Sequence, residues 1–231
     1  MNCIYCQNYE ISQQERGKEI TIEELANIFL IQQEKGVENV NLVTPTSYVP
    51  QIIEAIKKAR EKGLNIPIVY NTSGYESVDT LKLLEGYVDI YLPDFKYFYN
   101  ELGEEYSKVK NYFEVVTEAI KEMRRQQPEN IFDENGIMKK GMIIRHLVLP
   151  NHIRNSKRVL KYIKDNFGKD TLISVMAQYF PSNIADKYEN INRKLNEEEY
   201  NSILEYLEIL GLENGFIQDL EDEEEKYVPD F

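Results

Sequence analysis

The run IPIVYNT, residues 66–72, organises the rest of this chain. Short, apolar and rich in β-branched residues, it lies just past Gly63 and ends on the polar Asn71 and Thr72, and it predicts a buried strand. Before it, Pro50 suits the first turn of a helix, Ile52, Ile53 and Ile56 make one apolar face, and Gly63 closes the element. The same unit stands one step upstream. Thr21 with Glu24 forms a capping box, Leu25, Ile28 and Phe29 share a face, Gly36 ends the helix, and VNLVT (40–44) follows as a strand. One step downstream, a short helix with Leu81 and Leu84 closes at Gly86, and VDIYLPDF (88–95) follows. Helix, glycine and buried strand, repeated in this order, are the βαβ rhythm of a parallel sheet.

The second half keeps the rhythm with one interruption. Val115, Val116, Ala119, Ile120 and Met123 predict a helix, and IFDENGIMKKG (131–141) a small hairpin turned at Asn135–Gly136. MIIRHLVLP (142–150) is the next strand, a helix around Val159, Leu160 and Ile163 follows, and LISVMAQYF (172–180) is a strand again. A last helix runs from Asn196 through Tyr200, Ile203, Leu204 and Leu207 to Gly211, with GFIQ (215–218) as a short final strand. The expected fold is α/β with about five parallel strands, closed into a barrel or left as an open doubly wound sheet. One domain spans 1–218, and DLEDEEEKYVPDF (219–231) is an acidic, solvated tail. No strand precedes the loop that feeds the helix at Thr21.

Composition narrows the function. A net charge of −13 over 231 residues gives no positive field for nucleic acid. No apolar run approaches the roughly 20 residues of a membrane-spanning helix. Two cysteines in a chain of this size point to a reducing compartment, and the expectation is a cytoplasmic protein with no leader before Cys3.

In parallel α/β folds, ligands gather at the C-terminal ends of the strands. Those ends are polar here: Thr44 and Thr46; Asn71, Thr72 and Ser73; Asp94 and Lys96; Arg145 and His146; Gln178 and Tyr179. Loops after strands are polar in any case, so each residue also has a plain reading. Lys96 can be a salt-bridge partner of Asp94, and His146 suits a satisfied core histidine better than a ligand. The 17 tyrosines fit core and rim packing.

Cys3 and Cys6 stand three apart in MNCIYCQNYEIS at the start of the chain. Four chemistries suit such a pair. A redox dithiol should follow a strand and open a helix. Structural zinc would need His146 and His152 to complete four ligands, an awkward pair across a strand end. The thiols can be unremarkable. Finally, thiolates ligate iron–sulfur clusters, for which two are too few.

NCIYCQNYEIS resembles the end of the cluster loop of radical S-adenosylmethionine enzymes, Cys-x3-Cys-x2-Cys with an aromatic before the last cysteine. Tyr5 holds the aromatic place, and Cys3 and Cys6 match the second and third cysteines. The first is expected two residues upstream of Met1, so the chain reads as shortened at its N-terminus, lacking one cysteine and the first strand. LVTPTSYVPQIIEAI, IPIVYNTSGYE, DIYLPDFKY, IRHLVLP and MAQYFP are similar to the pyruvate formate-lyase activating enzyme-like branch, and the likeness runs from Cys3 to about Gln218.

The resemblance implies a partial (β/α)6 TIM-like barrel with its first strand missing. It implies a [4Fe-4S] cluster on Cys3 and Cys6, and S-adenosylmethionine chelated to the open iron. An electron from the cluster splits the sulfonium, and the 5′-deoxyadenosyl radical takes a hydrogen from substrate. In the activating enzymes that hydrogen belongs to a glycine of a partner enzyme. Thr44 and Thr46 fall where the family carries Gly-Gly-Glu. Asn71, with Ser73 beside it, falls where the activating enzymes carry Asp-Thr-Asn-Gly. Lys96 matches the lysine of Asp-Leu-Lys and would face the cofactor carboxylate. Arg145 matches a strand-five arginine, and Gln178 replaces a histidine. Expected partners are a glycyl-radical enzyme or another protein or small-molecule substrate, and a flavodoxin or ferredoxin as reductant, with no nucleic acid and no membrane. Two other functions compete: a catalytically inactive barrel remnant acting as a binding protein, and a zinc-binding protein using the Cys-x-x-Cys pair.

Overall fold

The computed structural model describes residues 1–14 and 16–217. In chain order the elements are α1 (Tyr9–Ser12), α2 (Ile22–Glu34), β1 (Val40–Val43), α3 (Val49–Glu61), β2 (Ile68–Thr72), α4 (Val78–Leu83), β3 (Ile90–Pro93), α5 (Asn100–Ser107), α6 (Tyr112–Gln126), β4 (Ile131–Phe132), β5 (Met138–Met142), β6 (Ile144–Leu147), α7 (Ile153–Phe167), β7 (Ile173–Met176), α8 (Glu197–Leu210) and β8 (Gly215–Ile217). They fall into two compact units, each assembled from separate stretches of chain. One holds Lys18–Pro93 and Val115–Ile143; the other holds Met1–Gly17, Asp94–Glu114 and the described residues from Ile144 onward.

The first of these units is a five-stranded sheet in the order β1-β2-β3-β5-β4. β1, β2, β3 and β5 run parallel, and β4 folds back antiparallel on β5 through a turn at Gly136 (φ 78°). Asp133 Oδ1 ties that turn by accepting from Asn135 N (3.0 Å) and Ile137 N (2.9 Å). β2 is covered almost continuously, as a central parallel strand must be, whereas β1 at the edge exposes alternate residues. Thr21 and Glu24 close their capping box at α2 (2.8 and 3.1 Å), and Pro50 lies in the first turn of α3.

α3 buries Ile52, Ile53, Ala55, Ile56 and Ala59, and of these Ile52, Ala55, Ile56 and Ala59 pack with Ala26, Phe29, Val40, Leu64 and Ile68. Each large aliphatic chain so buried contributes roughly 1.5–3 kcal/mol. The expected α2 face is corrected in part. Ala26 and Phe29 are buried, while Ile28 is 40% exposed. The small Ala26, Ala55 and Ala59 let the two helices approach closely, and the helix turns that edge inward.

In the other unit, β6, β7 and β8 form a parallel sheet, registered from Ile144 on Ile173 to Leu147 on Met176. Asp94 bridges to Arg145 beside it, with Phe95 N donating to Arg145 O at 2.8 Å. α7 buries Val159, Leu160 and Ile163. α8 starts at an Asn196–Glu199 capping box and stops at Gly211, which is left-handed at φ 66°. MIIRHLVLP, expected as one strand, is divided between two sheets: β5 ends at Met142 and β6 begins at Ile144. α5 was not expected. Neither sheet closes on itself among the described residues, and no strand lies among the described residues before α2. The tail expected at 219–231 lies outside the described residues.

Candidate functional site

The cysteine loop is a fastened structure. Cys6 N donates to Cys3 O at 3.2 Å, folding the pair into a turn. Asn2 N donates to Ser107 O (3.1 Å) and Ile4 N to Tyr106 O (2.9 Å), pinning the loop to the end of α5. On the other side Ile184 N donates to Ile4 O (3.1 Å) and Ser182 Oγ to Tyr5 O (3.0 Å). Gln13 Nε2 donates to Cys3 O at 3.0 Å. Ile4 and Tyr5 are buried; Cys3 and Cys6 are free thiols of intermediate exposure. Cys3 Sγ lies 3.1 Å from Ser107 Oγ, and Cys6 Sγ 3.4 Å from Ser12 Oγ. Burial pushes the Cys3 thiol up, the positive charge of Lys96 draws it back down, and Cys6 is near enough to push it up again.

That Lys96 stands in the same unit, on a buried charge cluster. Lys96 Nζ is 2.6 Å from Asp94 Oδ2, and Arg145 Nη2 is 2.7 Å from Asp94 Oδ1. Burial alone would raise the Asp94 carboxyl, but the two cations outweigh it and hold it below the usual range. The segment is held rigid: Tyr112 Oη accepts from Lys96 N (2.8 Å) and donates to Asp94 O (3.1 Å). Asn155 donates to Lys96 O (3.0 Å) and accepts from Phe98 N (2.8 Å). The plain reading of Lys96 as partner of Asp94 therefore holds, and the pair leaves it two further N–H donors. Gln178, half-buried, follows β7.

His146 is a core histidine. Its Nδ1 is 2.7 Å from Phe95 O, and burial pushes its pKa down to about 4. His152 Nε2 is 2.9 Å from Tyr106 Oη. Among the described residues no group of three or more His, Cys, Asp or Glu is placed to hold a metal ion, so the zinc set of two cysteines and two histidines is not assembled.

Thr44, Thr46, Asn71 and Ser73 belong to the other unit and share the C-terminal edge of β1 and β2. Thr44 N donates to Asn71 O at 2.8 Å, with Thr44 left-handed at φ 51°. Thr46 Oγ1 donates to Glu76 Oε1 at 2.6 Å, and Thr72 Oγ1 donates to the same oxygen. Glu76 is only 2% exposed; burial raises its carboxyl, and the Thr46, Thr72 and Tyr70 hydroxyls oppose the rise. Glu76 was missed by the sequence reading. Its signal was a carboxylate four residues after a strand-end threonine, but nothing in a polar loop announces burial.

The cysteine pair supplies two thiols from one tight turn, which fits two corners of an iron–sulfur cluster; a third thiol is not among the described residues. The comparisons agree with this chemistry. The chain is 36% identical over 221 residues to the protein named Uncharacterized protein MJ0674 of Methanocaldococcus jannaschii, covering 91% of this chain and 60% of that protein. The chain thus spans about 60% of the length of the curated relative it matches. Among solved structures, methylornithine synthase (PylB) superposes over 94% of this chain and 67% of its own at TM-score 0.62 and 14% identity. A domain of pyruvate-formate lyase-activating enzyme from Bacteroides vulgatus ATCC 8482 covers 78% of this chain and 98% of its own at TM-score 0.53 and 13% identity. Native anSMEcpe with bound AdoMet and Kp18Cys peptide covers 94% and 59% at TM-score 0.58 and 16% identity. These likenesses establish an α/β fold of the kind seen in radical SAM partial barrels. The sequence model of the radical SAM superfamily matches residues 1–133, more than half of the chain and the part that carries Cys3, Cys6 and Lys96, and the protein belongs to that superfamily.

Proposed function

We propose that the chain is the core of a radical S-adenosylmethionine enzyme of the activating type, in which Cys3 and Cys6 hold two irons of a [4Fe-4S] cluster. The observation that carries this is the fastened Cys3–Cys6 turn in the same compact unit as the Asp94–Lys96–Arg145 charge cluster. When bound, cluster and S-adenosylmethionine together supply a 5′-deoxyadenosyl radical that abstracts hydrogen. The chain's own residues position and charge the site. Lys96 and Arg145, held by Asp94, offer positive charge for a carboxylate. Thr44, Thr46, Asn71, Ser73 and Gln178 are the proposed polar contacts to the cofactor. Glu76, absent from the expected set, joins Thr46 as an acceptor on the β1–β2 edge. A glycine of a partner enzyme, another protein or a small molecule is the proposed substrate class, and a fold that elsewhere holds AdoMet and a peptide together supports it. The proposed reductant is a flavodoxin or ferredoxin. The third thiolate is proposed to stand two residues before Met1.

Anaerobic reconstitution with iron and sulfide tests this, on the chain as it stands and on the chain extended upstream. About four irons per extended chain and an absorption band at about 400 nm are expected, with both lost in Cys3→Ala and Cys6→Ala. With dithionite and S-adenosylmethionine the loaded protein should release 5′-deoxyadenosine. Tight zinc retention without iron uptake would return the zinc-binding reading, and iron uptake without 5′-deoxyadenosine would favour the inactive remnant.

A further inference from the structure

Behind Cys3 lies a buried line of hydroxyl groups. Cys3 Sγ is 3.1 Å from Ser107 Oγ, Ser107 Oγ is 2.8 Å from Tyr97 Oη, and Tyr97 Oη bonds to Tyr5 Oη. Ser107 and Tyr97 are 0% exposed and Tyr5 6%, so no bulk water competes for these bonds. The line is also rigid. Ser107 ends α5, and its carbonyl is pinned to the loop by Asn2 N at 3.1 Å. The Tyr97 ring packs edge-on against Tyr112 at 5.0 Å, and the Tyr5 ring against Tyr179 at 5.7 Å.

In a free thiol each of these contacts could run either way. A thiolate bound to iron has no proton and can only accept. Ser107 must then donate to Cys3, so its oxygen accepts from Tyr97. Tyr97 has spent its one proton on Ser107, so its own oxygen accepts from Tyr5. Every proton in the line points toward the sulfur. In a low-dielectric interior, such an aligned chain strengthens each of its bonds. Donors to a cluster sulfur stabilise the more negative, reduced state and raise its potential.

We propose that Tyr5, Tyr97 and Ser107 form a one-way hydrogen-bond relay onto Cys3 Sγ that sets the reduction potential of the cluster held there. The relay rests on the reading of Cys3 as a cluster ligand. Its members are positioning residues: one electron arrives from an external low-potential carrier protein, and no proton is transferred along the line. The relay also places Tyr5 in two roles at once, as the residue preceding Cys6 and as the far end of the line behind Cys3.

The test is an anaerobic redox titration, followed by electron paramagnetic resonance, of the reconstituted upstream-extended chain and its Ser107→Ala, Tyr97→Phe and Ser107→Thr variants. The potential should move negative in Ser107→Ala, move by less in the same direction in Tyr97→Phe, and return toward the parent value in Ser107→Thr. A strongly coupled exchangeable proton near the cluster should vanish in Ser107→Ala. An unchanged or more positive potential in Ser107→Ala at equal iron content overturns the relay while leaving the cluster assignment intact. If Ser107→Ala fails to load iron, Tyr97→Phe decides, because it keeps the Ser107–Cys3 contact, and an unmoved potential there overturns the relay. Failure of the upstream-extended chain to take up iron removes Cys3 as a ligand, and the relay with it.

Discussion

Asp94 carries the heaviest electrostatic demand of any residue in the candidate site. It is 8% exposed, its two oxygens are shared between Lys96 and Arg145, and its ionised form is maintained only by those cations. Removing one partner of a buried charge cluster strands the others. Asp94→Asn is therefore expected to cost about 3–5 kcal/mol, read as a lower urea midpoint at pH of about 7. The Asp94–Lys96 pairing was legible in the sequence, since the two stand two residues apart at one strand end. Arg145 joining them was not, because it requires Asp94 to run beside β6, about fifty residues further along the chain. Glu76 escaped for a similar reason. A glutamate in SGYESVD is ordinary loop chemistry until Thr46 and Thr72 close over it.

Among the elements, α5 shows how a helix can be hidden. Its sequence NELGEEYS has little apolar periodicity and a central glycine, which costs a helix about 0.5–1 kcal/mol against alanine. The glycine is required by packing. A Cβ on Gly103 would stand 2.8 Å from Tyr112 Cβ, at the first residue of α6, where no flexible chain end can yield. Gly103→Ala should therefore reverse the usual helix gain and destabilise by about 1–3 kcal/mol, measured by urea or thermal unfolding. Because Ser107 ends the same helix, the variant should also loosen the contact behind Cys3. By contrast, α2, α3 and α8 were legible, since capping boxes, an early proline and closing glycines act within a few residues.

For the molecule as a whole, one source of acid sensitivity is His146. Its folded pKa is depressed from 6.5 to about 4, mainly by burial, with Lys96 acting in the same direction and Asp94 and the Phe95 carbonyl opposing. The unfolded chain binds this proton first, so stability is present above the unfolded value and is lost as pH falls from about 6.5 toward 4. The loss attributable to His146 approaches about 3 kcal/mol. Glu76 works the other way, since its folded carboxyl is raised and it gains a proton in the native state first. Urea midpoints at pH of about 7 and 4.5 should therefore converge in His146→Gln relative to the parent, and an equal pH slope in the two proteins would refute the assignment.

Local order was written in the chain itself. Caps, glycine stops and apolar runs act over a handful of residues, so the alternation of helix and parallel strand and the hairpin at Gly136 could be read without coordinates. What folding alone decided was which distant groups meet. The division of residues 138–147 between two sheets, the sharing of Asp94 by Lys96 and Arg145, the enclosure of Glu76 and the line from Cys3 through Ser107 to Tyr97 and Tyr5 all depend on contacts across long stretches of chain. Hydrogen bonds and ion pairs of that kind gain strength only once packing has expelled water from around them, and no pattern of neighbouring residues encodes that exclusion.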